Sequence, residues 1–331
     1  MTQTSTTASE TIPELSEGPA SKWRLALNPV VLAYGAVLLL AAVGGILDRN
    51  FLASDHLFTM VNLGAVLGIV AAGQTIVIVT GGIDLSVAGV LTFAQVMTPF
   101  WIDGQSGRWP LIIVILGIAL LIGAVNAFGV SVLRVQPMIM TLGVGAVISA
   151  AVLILTNGSS TGGPPKFLVT TMTRQGALSG LLLMWIVVSI VTYVLLHESS
   201  FGRKVFAYGA SARTARLAGL RSGTAILGTY CFSAVTAAMA GIALAGYTGS
   251  GDFGIGDTYL FPSIGAVVIG GTSIMGGRGN YLGTIAGVLI LTVLEAILIV
   301  LNIAAAGRQI AEGLAILIIL IAYARERRLR Q

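Results

Sequence analysis

Ten apolar stretches, near residues 29–47, 57–80, 87–101, 111–134, 138–156, 181–196, 225–247, 261–277, 281–302 and 308–323, leave this chain little choice of fold. An α-helix needs about 20 apolar residues to cross the ~30 Å hydrocarbon core of a bilayer, and lipid offers no partner to an unpaired backbone group. The sequence therefore predicts an all-α polytopic membrane protein, with about ten transmembrane helices filling residues 29–324. Composition agrees, with 56% of 331 residues apolar and 9% charged. The 43 glycines suit helices that approach closely where lipid removes the hydrophobic drive between them. Runs 87–101 and 261–277 are diluted by Gly, Thr and Ser, and either is a candidate half-helix.

Residues 1–28 read as a polar, solvated tail and 325–331 as a short basic one. With a cytoplasmic amino terminus, ten crossings place thirteen basic residues inside and five outside, the asymmetry expected of a plasma-membrane protein with both termini in the cytoplasm. That distribution accounts for the net charge of +5, which gives no support to nucleic-acid binding. Cys231, His56 and His197 are too few for a disulfide framework or a Cys/His metal site. No G-x-x-x-x-G-K-[ST] or H-E-x-x-H sequence is present, so neither a P-loop nucleotide site nor a zinc peptidase is expected.

A basic island at about 199–222 holds five of the eighteen Lys and Arg residues within nineteen positions. Read as a helix capped by Ser211, it sets Ala212, Ala215 and Gly219 on one stripe, with Arg213 and Arg216 beside it and Leu217 and Leu220 on the next strip. Small residues would let a partner approach the backbone, and the arginines would hydrogen-bond its carboxylates. The same island could equally enforce topology or touch anionic lipid. The outer loops at 157–180 and 248–260 are turn-rich, as connectors or as contacts for an extracytoplasmic partner.

Within the apolar runs, Gly81-Gly82-Ile83-Asp84-Leu85-Ser86 marks a helix break. A mid-membrane Asp costs about 2.5–3.5 kcal/mol on insertion scales, so Asp84 either belongs to a polar path or caps a helix starting at Leu85. Gln74, Asn126, Thr141, Glu295 and Glu312 are the other intramembrane polar residues, and each should point into the bundle. Gln74, Gly81, Gly82, Asp84, Ser86, Asn126 and Thr141 form the candidate translocation path, a mixed lining of amide, hydroxyl and small apolar groups suited to uncharged sugars. A second glycine-dense passage, Gly265 to Gly279, is expected to make a tight re-entry turn, with Arg278 at its cytoplasmic end.

Together, Val79-Thr80-Gly81-Gly82-Ile83-Asp84-Leu85-Ser86-Val87, Met140-Thr141-Leu142-Gly143, Phe201-Gly202-Arg203 through Ala215-Arg216-Leu217-Ala218-Gly219-Leu220, and Val267-Val268-Ile269-Gly270-Gly271-Thr272-Ser273 with Gly276-Gly277-Arg278-Gly279 resemble the permease subunits of bacterial ABC importers for monosaccharides, the ribose-type group. The resemblance spans residues about 60 to 325. It implies a fold like the ten-helix, vitamin-B12-type (type II) importers and a second permease copy, as a homodimer or a pair. It also implies a cytoplasmic ATPase that uses the ATP, this chain holding no cofactor, and a periplasmic or lipid-anchored sugar-binding protein. The family's coupling loop falls on Tyr208 to Leu220, adding Tyr208 and Gly209 to the docking residues. The competing reading is a secondary sugar transporter driven by an ion gradient, with Asp84 and Glu295 as its only candidate coupling carboxylates.

Overall fold

The computed structural model describes residues 29–173, 179–220 and 222–328, so the expected amino-terminal tail at 1–28 lies outside the described residues. Every regular element among those residues is helical: α1 (Pro29–Leu47), α2 (Ser54–Val79), α3 (Val87–Ile102), α4 (Leu111–Ser131), α5 (Pro137–Leu155), α6 (Lys166–Met172), α7 (Gly180–Tyr193), α8 (Ser200–Ala210), α9 (Ala212–Leu217), α10 (Ser222–Thr248), α11 (Ile255–Ile269), α12 (Tyr281–Val300) and α13 (Ala305–Arg328). A 3₁₀ turn at Ser106–Arg108 leads into α4, and a π-helical turn at Val194–Glu198 ends α7. Seven helical segments are long and apolar enough to cross a membrane, and α3 and α11 are shorter apolar helices of 16 and 15 residues.

Helices α2, α3 and α10 form the centre. From Gly64 to Val79 every residue of α2 is buried, as is every residue of α3 from Val87 to Pro99. A helix apolar on all sides has to sit in such a position. Helix α10 packs on α2, α3 and α4, and α12 packs on α1, α2 and α11. Small residues set these distances: a side chain at Gly123 of α4 would strike the α10 backbone at Tyr230 and Cys231. Polar groups inside the bundle pair across helices, as Thr75 does with Thr284 at 3.0 Å.

The structure revises several expected boundaries. The run 261–277 straddles a helix end: α11 starts at Ile255 and stops at Ile269, where Gly270 and Gly271 close its last carbonyls through bonds to Ala266 and Val268. Hydropathy alone could not see that stop, because Gly and Met continue the apolar count past it. The loop 157–180, expected on the outer side, contains α6, whose Leu168 and Met172 are buried against Gly246. The last helix extends through Arg328, so the basic segment from 325 begins as helix. The helix after the break starts at Val87 rather than Leu85, and no side chain caps it.

Candidate functional site

The chain leaves α2 at Thr80 and does not become helical again until Val87. Gly81, at φ +83°, supplies the left-handed turn that reverses the chain. Non-helical backbone this deep in a bundle needs internal partners. Gln74 Nε2 donates to the Asp84 carbonyl at 2.6 Å, and Leu85 N donates to Thr141 Oγ1 at 2.9 Å. Thr141 Oγ1 in turn reaches the carbonyls of Ile83, at 3.2 Å, and Pro137, at 3.0 Å. Helices α2 and α5 thus hold the break from both sides.

Asp84 organises the rest. Its Oδ1 accepts from Ser86 N at 2.9 Å and from Ser86 Oγ at 2.6 Å, and its Oδ2 accepts from Ser233 Oγ of α10 at 2.8 Å. Asn126 Nδ2 of α4 donates to Ser86 Oγ at 2.8 Å. Five residues expected on a polar path, Gln74, Asp84, Ser86, Asn126 and Thr141, therefore meet in one network, each with 0% of its surface exposed. Gly82 is buried beside them and Gly81 is exposed at the edge. The network is packed shut: a side chain at Gly82 would sit 2.8 Å from Tyr230 Oη. Gln74 Oε1, Asn126 Oδ1 and Tyr230 Oη have no hydrogen-bond partner among the described residues. Ser233 and Tyr230 escaped sequence reasoning, and the only signal was small polar residues recurring in run 225–247 at Thr229, Ser233 and Thr236.

The basic loop lies directly under this break. Helix α8 is capped by Ser199, which accepts from Gly202 N, and ends in close contact with two turns. Val79 O accepts from Gly277 N at 2.9 Å, and a side chain at Gly209 would strike both atoms. Only glycine fits Gly209, because three backbones converge there. Tyr208, one residue earlier, packs against the buried cluster of Val77, Ala127, Ile226 and Tyr230. The re-entry turn expected within Gly265 to Gly279 is found between Gly270 and Asn280, and it joins the first break and the basic loop at one end of the bundle.

Ser211 caps α9, accepting from Thr214 N at 3.2 Å. The expected stripe does not run the length of this loop. Helix α9 stops at Leu217, and Gly219, at φ +74°, follows it as a left-handed cap. Gly219 N donates to Arg216 O and Leu220 N to Ala215 O, the pair of bonds that closes a Schellman turn. Ala215 is 4% exposed and faces the protein, whereas Leu217 is 82% exposed. Arg213, Arg216 and Gly219 are exposed, and Ala212 and Leu220 half-buried. The outward surface is thus Arg213, Arg216 and Leu217, with Gly219 at its rim.

A bundle of helices long and apolar enough to cross a membrane, with a buried polar break joined by backbone contacts to an exposed basic loop, defines the class as polytopic helical membrane proteins. Residues 56–323 match the family described as the permease component of the branched-chain amino acid transport system, and the chain belongs to it. It is 30% identical over 287 residues to the ribose import permease protein RbsC of Bacillus subtilis (strain 168), covering 85% of this chain and 88% of that one. The ribose import permease protein RbsC of Escherichia coli (strain K12) is 30% identical over 295 residues, 86% of this chain and 90% of that one. The autoinducer 2 import system permease protein LsrC of Yersinia pseudotuberculosis serotype IB (strain PB1/+) is 31% identical over 290 residues, 86% and 82% of the two chains. No solved structure matches.

Proposed function

We propose that this chain is the membrane-spanning subunit of a bacterial ABC importer and forms half of the path for a monosaccharide or related small polyol. A separate cytoplasmic ATPase supplies the energy, and a periplasmic or lipid-anchored binding protein delivers the sugar. The observation that carries this reading is the convergence of Val79, Gly209 and Gly277, through which a push on α9 reaches the break that holds Asp84. Arg213, Arg216 and Leu217 form the ATPase-facing surface, with charge for its carboxylates and an exposed apolar anchor. Helix α13 and the short α3 and α11 complete ten crossings with the seven long segments, an arrangement in keeping with the type II importers. Both termini then lie in the cytoplasm, the basic loop on the same side, and a second permease copy supplies the other half of the path. The sugar reading draws on the relatives named for ribose and autoinducer 2 import.

The test is reconstitution of this chain with its ATPase in sealed vesicles, with the binding protein added outside. Uptake of an uncharged sugar should require ATP and rise with loaded binding protein, and the chain alone should hydrolyse no ATP. Sugar accumulation by the chain alone under a proton or sodium gradient would instead establish the ion-coupled reading.

A further inference from the structure

The buried network around Asp84 offers a solute no space, but the molecule does contain a polar cavity elsewhere. It measures about 300 Å³ and lies between α2, α11, α12 and α13. That volume meets the lower end of the ~300–1,000 Å³ range of small-molecule sites. Its polar lining includes Thr258, Tyr259, Glu295, Arg308, Gln309 and Glu312, against an apolar wall that includes Leu67 and Leu291.

Its position follows from the helix directions. Helix α12 starts at Tyr281, where His197 and Ser189 hold it beside the basic loop, and Glu295 is fourteen residues, or about 21 Å, further on. Thr258 and Tyr259 lie near the start of α11, and Arg308 to Glu312 near the start of α13. The cavity therefore opens toward the end of the bundle opposite the basic loop. Glu295 is five residues inside the end of α12 and Glu312 seven inside the start of α13, about 8 and 10 Å by helical rise. Two carboxylates at those depths are strongly disfavoured against lipid, so this face meets water or protein.

We infer that this cavity is the station at which the permease receives an uncharged monosaccharide from the outer side. The polar equipment matches that class. Carboxylates accept from sugar hydroxyls, the guanidinium donates to them, and Gln309 does both, while Tyr259 and Leu67 offer apolar surface to C–H faces. Among the described residues, Tyr259, Glu295, Gln309 and Glu312 spend no side-chain hydrogen bond on the protein, and Arg308 spends one, from Nη1 to the Ile303 carbonyl at 3.0 Å. Two carboxylates set against one guanidinium leave a net negative lining that disfavours an anion.

This inference rests on the reading of the chain as a sugar importer subunit, and the experiment separates the two. In a Cys231→Ala background, Thr258→Cys is introduced into the permease–ATPase complex in lipid nanodiscs and labelled with a membrane-impermeant maleimide. Free pentoses and hexoses, D-ribose among them, and leucine serve as probes. One sugar should slow labelling, and the same sugar should be imported with ATP by the unaltered transporter. Tyr259→Phe, Gln309→Leu and Glu312→Gln should each raise the protecting concentration about tenfold, as loss of a hydrogen bond to a ligand predicts, while assembly with the ATPase stays unchanged. Labelling that no sugar slows, protection by leucine alone, or variants that protect and import normally would overturn the station while leaving sugar import intact. Failure of the unaltered transporter to import any sugar with ATP would overturn both.

Discussion

Asp84 is the residue on which the break depends, because three donors converge on its carboxylate: Ser86 N, Ser86 Oγ and Ser233 Oγ. Asp84→Leu should leave those buried donors unpaired at about 1–3 kcal/mol each, lowering the thermal unfolding midpoint of the solubilised complex and abolishing uptake. Asp84→Asn keeps one acceptor and should cost less by the same measurement. Sequence alone identifies this residue, since a carboxylate beside two glycines stands out in an apolar run. Ser233 stays hidden for a physical reason. Its partner lies 149 positions away, and nothing in one chain's periodicity says which of many intramembrane hydroxyls will meet an Asp across helices. Gly209 is a second case at this scale. Gly209→Val should collide with the Val79 carbonyl and Gly277 amide, so that the complex still assembles with its ATPase but ATP turnover no longer drives uptake.

At the scale of elements, the short helix α9 shows where pattern reading stops. A stripe at three- and four-residue spacing placed Ala212, Ala215 and Gly219 together, but the pattern cannot see that the helix ends at Leu217. Once it ends, Ala215 faces inward and Gly219 becomes a turn residue. The expected effects change accordingly. Ala215→Trp should disturb the loop's own packing, whereas Gly219→Ala should cost about 1 kcal/mol through its positive φ, with little change in ATPase binding. Docking should instead depend on the outward residues. Arg213→Glu with Arg216→Glu, and separately Leu217→Asp, should reduce co-purification of the ATPase while expression and thermal stability hold. The re-entry turn is a similar case: its glycines were visible, but the stop at Ile269 depends on Gly270 and Gly271 closing the helix end.

For the whole molecule, the proposed orientation gives a direct check. With Cys231 replaced by Ala, Ser250→Cys between α10 and α11 should react with an impermeant thiol reagent in intact cells, and Thr214→Cys on α9 only after the membrane is opened. Both positions are exposed, so accessibility alone decides the result. The reverse pattern would invert the topology and with it the assignment of the docking loop. The class of the protein was legible from its apolar runs, whereas the polar cavity between α2, α11, α12 and α13 was not. Glu295 and Glu312 stood out as intramembrane acids, but Thr258, Arg308 and Gln309 join them only when four helices assemble.

The two short apolar helices carry a consequence for the surrounding lipid. At 16 and 15 residues, α3 and α11 span about 24 and 22 Å, less than the ~30 Å of hydrocarbon around them. Helix α3 packs on the 27-residue α10 and α11 on the 26-residue α2, so short and long helices stand side by side in the bundle. A thick bilayer stretches the long helices against the short ones, and the mismatch falls on the turns at 80–86 and 270–280, the same turns that meet Gly209. Uptake measured in vesicles of graded acyl-chain length should therefore peak in the thinner membranes and decline as chains lengthen, with ATPase docking unchanged throughout. Membrane thickness would then act as a mechanical load on the linkage between fuel and passage.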